Sequence, residues 1–223
     1  PGPLTIVLPL QRDAGLASAV TAGLSTVALR CPAHPVMRAV LDQAGLPIAA
    51  PSANRSGAVS PTCADHVATS LGEQVDIILD SGVCAEGLES TIVVLRENMT
   101  WQVLRPGPIT ESQLEGVLGT SQSLFHDTGA IEAPGQLASH YAPGKPVRLG
   151  ASEAAEDEFL IGFGSVAGDM QLSVTGDLAE AASQLYAALH VAAASSKPRI
   201  AVAAIPEQGI GLAINDRLRR AAV

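Results

Sequence analysis

Apolar positions along the chain follow two periods. Short runs rich in β-branched residues, at 4–9, 26–30, 47–50, 75–79, 91–96 and 101–105, predict strands. Between them, wider apolar spacing predicts helices over 34–44, 61–71 and 110–118. Pro35 sits in the first turn of the first helix. The second is bounded by Ser60 as a cap, Pro61 at the first helical position and Gly72 at the exit. Thr110 precedes the third, and Glu111 suits the positive end of its dipole. Residues 119–145, from Thr120-Ser121-Gln122-Ser123 to Ala142-Pro143-Gly144-Lys145, are small, polar and rich in proline and glycine. They read as a long connection. The alternation then resumes with a buried strand at 159–163 and a helix at 177–194 whose broad apolar face carries Leu178, Ala181, Leu185, Leu189 and Val191. A strand at 200–205 and a closing helix at 212–222, with arginines in its last turns, complete it. The pattern predicts an α/β protein: a twisted open-sheet domain over 1–118, a linker over 119–145 and a small three-layer α/β domain over 146–223.

Composition narrows the function classes. A hydrophobic fraction of 47% with 16% charged residues describes a packed globule, and 3% aromatics suits helix–sheet layers better than an aromatic-rich sandwich. The net charge of −9 is spread over both halves, which argues against a tight grip on a long phosphate backbone and leaves room for a local basic pocket. The three cysteines, Cys31, Cys63 and Cys84, form no C-x-x-C pair and read as reduced thiols of a cytoplasmic protein. No apolar run reaches transmembrane length, so no membrane partner is expected. Pro1-Gly2-Pro3 runs straight into a strand without an initiating methionine, which reads as a chain whose beginning lies elsewhere or was removed.

Several residues carry chemistry, each beside a plainer reading. Arg30 ends a buried strand and offers a planar fork for a small carboxylate, or for a neighbouring acidic side chain. Ser52 and Asn54 lie in a Pro/Ser/Asn/Gly turn whose hydroxyl, amide and main-chain N–H groups suit phosphate or ribose oxygens; an ordinary turn uses the same residues. Ser60 reads as a helix cap and, compatibly, as part of an anion site. Ser90 and Thr91 follow a glycine-bearing loop, 82–87, where hydroxyls can meet a ligand or merely begin a strand. Arg105, before Pro106-Gly107, suits a nucleotide phosphate or a surface turn. Thr26 needs no role beyond its strand. Tyr141 serves as a lid or as packing between domains, and His140 reads as a packed or exposed residue.

Five segments, in order, resemble one family, the YrdC-like threonylcarbamoyl-AMP synthases. They are Pro1-Gly2-Pro3-Leu4-Thr5, Thr26-Val27-Ala28-Leu29-Arg30-Cys31-Pro32, Ala50-Pro51-Ser52-Ala53-Asn54-Arg55-Ser56-Gly57 with Ser60-Pro61-Thr62, Glu89-Ser90-Thr91-Ile92-Val93, and Leu104-Arg105-Pro106-Gly107. Ala133-Pro134-Gly135 and Ser139-His140-Tyr141-Ala142-Pro143 resemble the tether of its two-domain members, and Asn215-Asp216-Arg217-Leu218-Arg219-Arg220 the end of their Rossmann-like second domain. The resemblance implies condensation of ATP, L-threonine and bicarbonate to threonylcarbamoyl-AMP and pyrophosphate. A transferase complex would then carry the threonylcarbamoyl group to adenosine 37 of tRNA. It implies ATP contacts at Thr26, Ser52, Asn54, Ser60, Arg105 and Tyr141, and L-threonine contacts at Arg30, Ala50 and Ser90. No catalytic nucleophile is expected, since adenylation needs positioning and charge. Mg2+ is expected with ATP, and no carboxylate cluster announces a protein-made metal site.

The family's opening strands, with a threonine-contacting motif and a Lys/Arg-Pro phosphate motif, have no counterpart here. Lys145 and Lys197 both lie outside that context. Competing expectations are a catalytically incomplete fragment, a carbamoyl-adenylating domain as in hydrogenase maturation factors, and a module binding double-stranded RNA. The cysteine pattern opposes the maturation factor, and the acidic charge opposes the RNA reading.

Overall fold

The computed structural model describes residues 1–96, 100–120 and 140–223. In chain order its elements are β1 (Leu4–Pro9), α1 (Ser18–Thr21), β2 (Thr26–Arg30), α2 (Pro35–Ala44), α3 (Ala64–Leu71), β3 (Thr91–Leu95), β4 (Trp101–Arg105) and α4 (Glu111–Leu118). They continue as β5 (Val147–Ala151), β6 (Glu158–Gly162), β7 (Met170–Gln171), α5 (Leu178–Ala194), β8 (Arg199–Ala203) and α6 (Gly211–Ala221). The runs at 47–50 and 75–79 form no strand, and Ile77 and Leu79 are 79% and 62% exposed. A β-branched run becomes a strand only where a neighbour takes its main-chain hydrogen bonds. Most of the expected linker, residues 121–139, lies outside the described residues.

The described residues form two compact units, one of residues 1–50 with 89–96 and 100–120 and the other of residues 51–88 with 140–223. By contact, the segment 51–88 groups with the C-terminal part. In the first unit the sheet order is β2-β1-β3-β4, with β1 antiparallel to β2 and parallel to β3, and β3 antiparallel to β4. Alternation gives this sheet two apolar faces. Val93, Trp101, Val103 and Leu114 of α4 build one, and Val7, Ile92, Val94 and Leu104 the other. The strand ending at Arg30 is an edge strand with an exposed C-terminal half, not the buried strand the sequence suggests.

In the second unit all pairs of the β5-β8-β6-β7 sheet are parallel. Parallel strands are buried and read as continuous apolar runs, as Ile200-Ala201-Val202-Ala203 does here. The helices α5 and α6 share one core with Ile161, Ile200 and Val202, while Ala151, Leu160 and Ala201 form a separate small cluster with Val166. Both helices thus lie against one face, and no described helix supplies the third layer. The contacts that join the segment 51–88 to the rest of this unit include three close ones. Gly87, at φ +64, is close enough to α5 that a Cβ would come within 2.5 Å of Ser183 Cα; Ala142 N–H donates to Gly57 O at 2.8 Å; and His66 stacks on His190, ring centroids 3.7 Å apart.

Candidate active site

The first unit concentrates its polar groups where β1 and β3 begin and β4 ends. Thr5, the one hydroxyl residue in the run Leu4-Thr5-Ile6-Val7-Leu8, is buried, and its Oγ1 lies 2.7 Å from Ser90 Oγ. Arg105 donates through Nε and Nη2 to Ser90 O at 3.1 and 3.0 Å, and through Nη2 to Ser90 Oγ at 3.2 Å. A bulge makes this possible. The register shift at Ile92/Val93 leaves Leu104 without an opposite residue and aligns Arg105 with Ile92, two residues from Ser90 and on the same face. Arg30 is the register partner of Thr5, and its Nε donates to Gly2 O at 3.0 Å. Arg30, Thr5, Ser90 and Arg105 therefore share one edge of one sheet face.

Two close approaches hold the start of β3. Gly107 leaves no room for a Cβ, which would meet Thr91 N and lie 2.8 Å from Glu89 O. Thr91 is fully buried, and its hydroxyl donates to Ile109 O at 2.7 Å and accepts from Ile109 N–H at 2.9 Å. That hydroxyl is committed to the main chain and not offered to a ligand. Thr26 lies half-buried at the opposite end of β2 from Arg30, and Ala50 is exposed outside any element.

In the second unit Asn54 Nδ2 donates to Arg55 O and Ala58 O at 2.9 and 3.1 Å. Its buried Oδ1 has no hydrogen-bond partner among the described residues. An amide held by two carbonyls in this way presents an acceptor, suited to a ribose hydroxyl or an adenine amine. Ser52 is exposed, whereas Ser60 is buried and its carbonyl lies 3.1 Å from His190 Nε2.

Ser60 does not cap α3, which begins at Ala64 after Cys63 without a side-chain cap. The reason is His66. Its Nδ1 accepts the Thr62 N–H at 3.2 Å and lies 3.3 Å from Thr62 Oγ1, so the entry is tied from inside the helix. This hydroxyl–imidazole pair is a structural clasp, because Thr62 is only 2% exposed and Nδ1 already serves the main chain. Burial, then the His190 ring, pull the His66 pKa below its ordinary value, against the opposing pull of Asp65.

Tyr141, expected over the nucleotide, is only 1% exposed within its own unit. It meets His140 edge-on and Tyr186 at a tilt, with the Arg217 guanidinium 5.5 Å from its ring. These contacts pack the ring within the second unit, not between two domains. Among the described residues no three His, Cys, Asp or Glu side chains come together as metal ligands.

Comparison with known proteins decides the family. A family model described as "Telomere recombination" matches residues 1–107, and one described as "Threonylcarbamoyl-AMP synthase, C-terminal domain" matches 109–223. A threonylcarbamoyl-AMP synthase of Bacillus subtilis is 37% identical over the whole chain, which covers 70% of that protein. The chain belongs to the threonylcarbamoyl-AMP synthase family. The synthase of Pyrococcus abyssi is 33% identical over 99% of the chain and 70% of its own length. The crystal structure of P. abyssi Sua5 complexed with L-threonine superposes with a TM-score of 0.87 at 33% identity, covering 100% of this chain and 71% of that one. A variant of that protein, with a His and the Tyr that follows it both replaced by Ala, gives 0.85 at 31% identity.

Within this synthase, reasoning from sequence paired neither Ser90 with Arg105 nor either with Thr5. The available signal was Thr5 itself, a polar residue in an otherwise apolar strand. Also missed was Gly107, whose requirement lies in a close approach and not in a positive φ. No described helix is long and apolar enough to cross a membrane.

Proposed function

We propose that this synthase joins L-threonine, bicarbonate and ATP at the sheet edge carrying Arg30, Thr5, Ser90 and Arg105. The threonine amine and bicarbonate give a carbamate with loss of water. A carbamate oxygen then attacks the α-phosphorus of ATP, and the bond to pyrophosphate breaks with the electron pair leaving on pyrophosphate. Every partner in that step is anionic, so the protein's task is positioning and charge compensation. ATP enters with Mg2+ held by its own phosphate oxygens and water.

The observation that carries this reading is the buried Thr5–Ser90–Arg105 hydrogen-bond group on one rigid strand edge, in register with Arg30. Arg30, Ala50 and Ser90 are assigned to L-threonine. Thr26, Ser52, Asn54, Ser60 and Arg105 are assigned to ATP, with the unpartnered Asn54 Oδ1 favouring a nucleoside donor. The His–Tyr order replaced in the P. abyssi variant occurs once here, at His140-Tyr141. In this chain Tyr141 acts by holding the segment after 140 to its core. The product is delivered in the cytoplasm to a transferase complex that modifies tRNA, and an acidic protein of net charge −9 is suited to handing on a small adenylate. Pyrophosphate release from ATP should require both L-threonine and bicarbonate. Release without either co-substrate, or none when all three are present and bound, would overturn the proposal.

A further inference from the structure

Proton accounting in the Thr5–Ser90–Arg105 group assigns a task to Thr5. A guanidinium only donates, so Ser90 Oγ accepts from Arg105 Nη2 at 3.2 Å and retains one lone pair and one proton. The 2.7 Å contact to Thr5 Oγ1 uses one of these. If Ser90 donated to Thr5, it would face a ligand with a lone pair and repel a carboxylate. If Thr5 donates, both Ser90 lone pairs are filled, and its proton points away from the group as a donor. The oxygen itself cannot drift, since Arg105 also grips Ser90 O through two N–H groups. Ser90 and Thr5 are buried, at 4% and 9% exposure, so water competes little for these bonds.

We propose that Thr5 is a positioning residue for the amino-acid substrate: by donating to Ser90 it orders the Ser90 hydroxyl as a hydrogen-bond donor to the substrate carboxylate. The inference rests on the assignment of Ser90 to L-threonine made above. Arg30, directly across from Thr5 on the neighbouring strand, supplies cationic charge on the same face. Thr5 is thereby a specificity element, favouring an anionic carboxylate over a neutral amide at that position.

The test is a double-mutant cycle with Thr5→Val and Ser90→Ala in the full chain, titrating L-threonine and L-threoninamide and measuring KM for each substrate. Thr5→Val keeps the β-branched shape, so the strand is preserved. Affinity for L-threonine should fall about tenfold, the worth of one ordered buried hydrogen bond. The preference for L-threonine over the amide should narrow similarly, while KM for ATP and kcat stay unchanged. Thr5→Ser should restore binding. In the Ser90→Ala background, Thr5→Val should cost nothing further. Equal loss in both backgrounds, or unaltered carboxylate preference, would overturn the inference. If Thr5→Val failed to fold, a Thr5→Ser chain binding L-threonine more weakly than the parent would do the same. Failure of the parent chain to bind L-threonine would instead remove the reading beneath it.

Discussion

Gly107 shows how one residue without a side chain can govern a site made of side chains. Its backbone lies against Glu89, Ser90 and Thr91, and a Cβ would meet only main-chain atoms, which cannot rotate away. A methyl group there must push the start of β3 from the β4 exit, parting Ser90 from Arg105. Gly107→Ala should therefore cost about 1–3 kcal/mol of stability. It should also weaken L-threonine binding by more than a destabilised but intact fold would. Urea unfolding, monitored by Trp101 fluorescence, checks the first, and titration at a temperature where the variant is fully folded checks the second. Unchanged binding and stability together would show that the strand shifts without consequence. Residue identity alone marks neither this nor the Thr5 contact, because both depend on which atoms tertiary structure brings together.

Among the elements, α4 is the most completely specified by local sequence. Thr110 accepts the Gln113 N–H, and Gln113 Oε1 accepts the Thr110 N–H at 2.9 Å, so two N–H groups at the helix start are satisfied reciprocally. Thr110→Ala should lower stability by about 1 kcal/mol, with faster amide exchange at the start of α4 and little change in KM. A change below a few tenths would mean that Leu114 packing alone holds the helix. The same locality explains what was legible. The strands β1, β2, β3 and β4 and the helices α2, α4, α5 and α6 lie within a residue or two of their expected spans, because each carries a period or a cap of its own. The misses share a cause at longer range. The runs 47–50 and 75–79 lack a pairing neighbour, α3 starts late because His66 binds Thr62, and β5 is mostly exposed with Gly150 inside it. At the candidate site the residue types were readable, but the bulge aligning Arg105 with Ile92 was not.

At the scale of the molecule, the second unit is knitted from segments far apart in sequence, and two titrating groups set how it responds to acid. Glu158 is held at about 2, against an ordinary 4.5, by its hydrogen bond from Arg148 and then by the Ala155 N–H and the charge of Arg199. His66 is displaced below its ordinary 6.5. Both signs make acid destabilising, in separate windows. As pH falls through the ordinary histidine range, the unfolded chain takes up the His66 proton before the folded one does. The clasp from His66 to Thr62 and the stack on His190 then lose stability first. As pH falls from about 4.5 toward 2, the unfolded chain protonates Glu158 while the folded chain resists, and the β5–β8–β6 region loses the Arg148 contribution. Amide exchange followed from pH 7 to pH 3 should show protection falling in 61–71 well before it falls in β8. His66→Gln should flatten the first limb and Glu158→Gln the second, each leaving the other in place. A single limb common to both regions, unaltered by His66→Gln, would mean that the attachment of 51–88 depends on the apolar contacts around Val59 and Leu88 and not on the histidine pair.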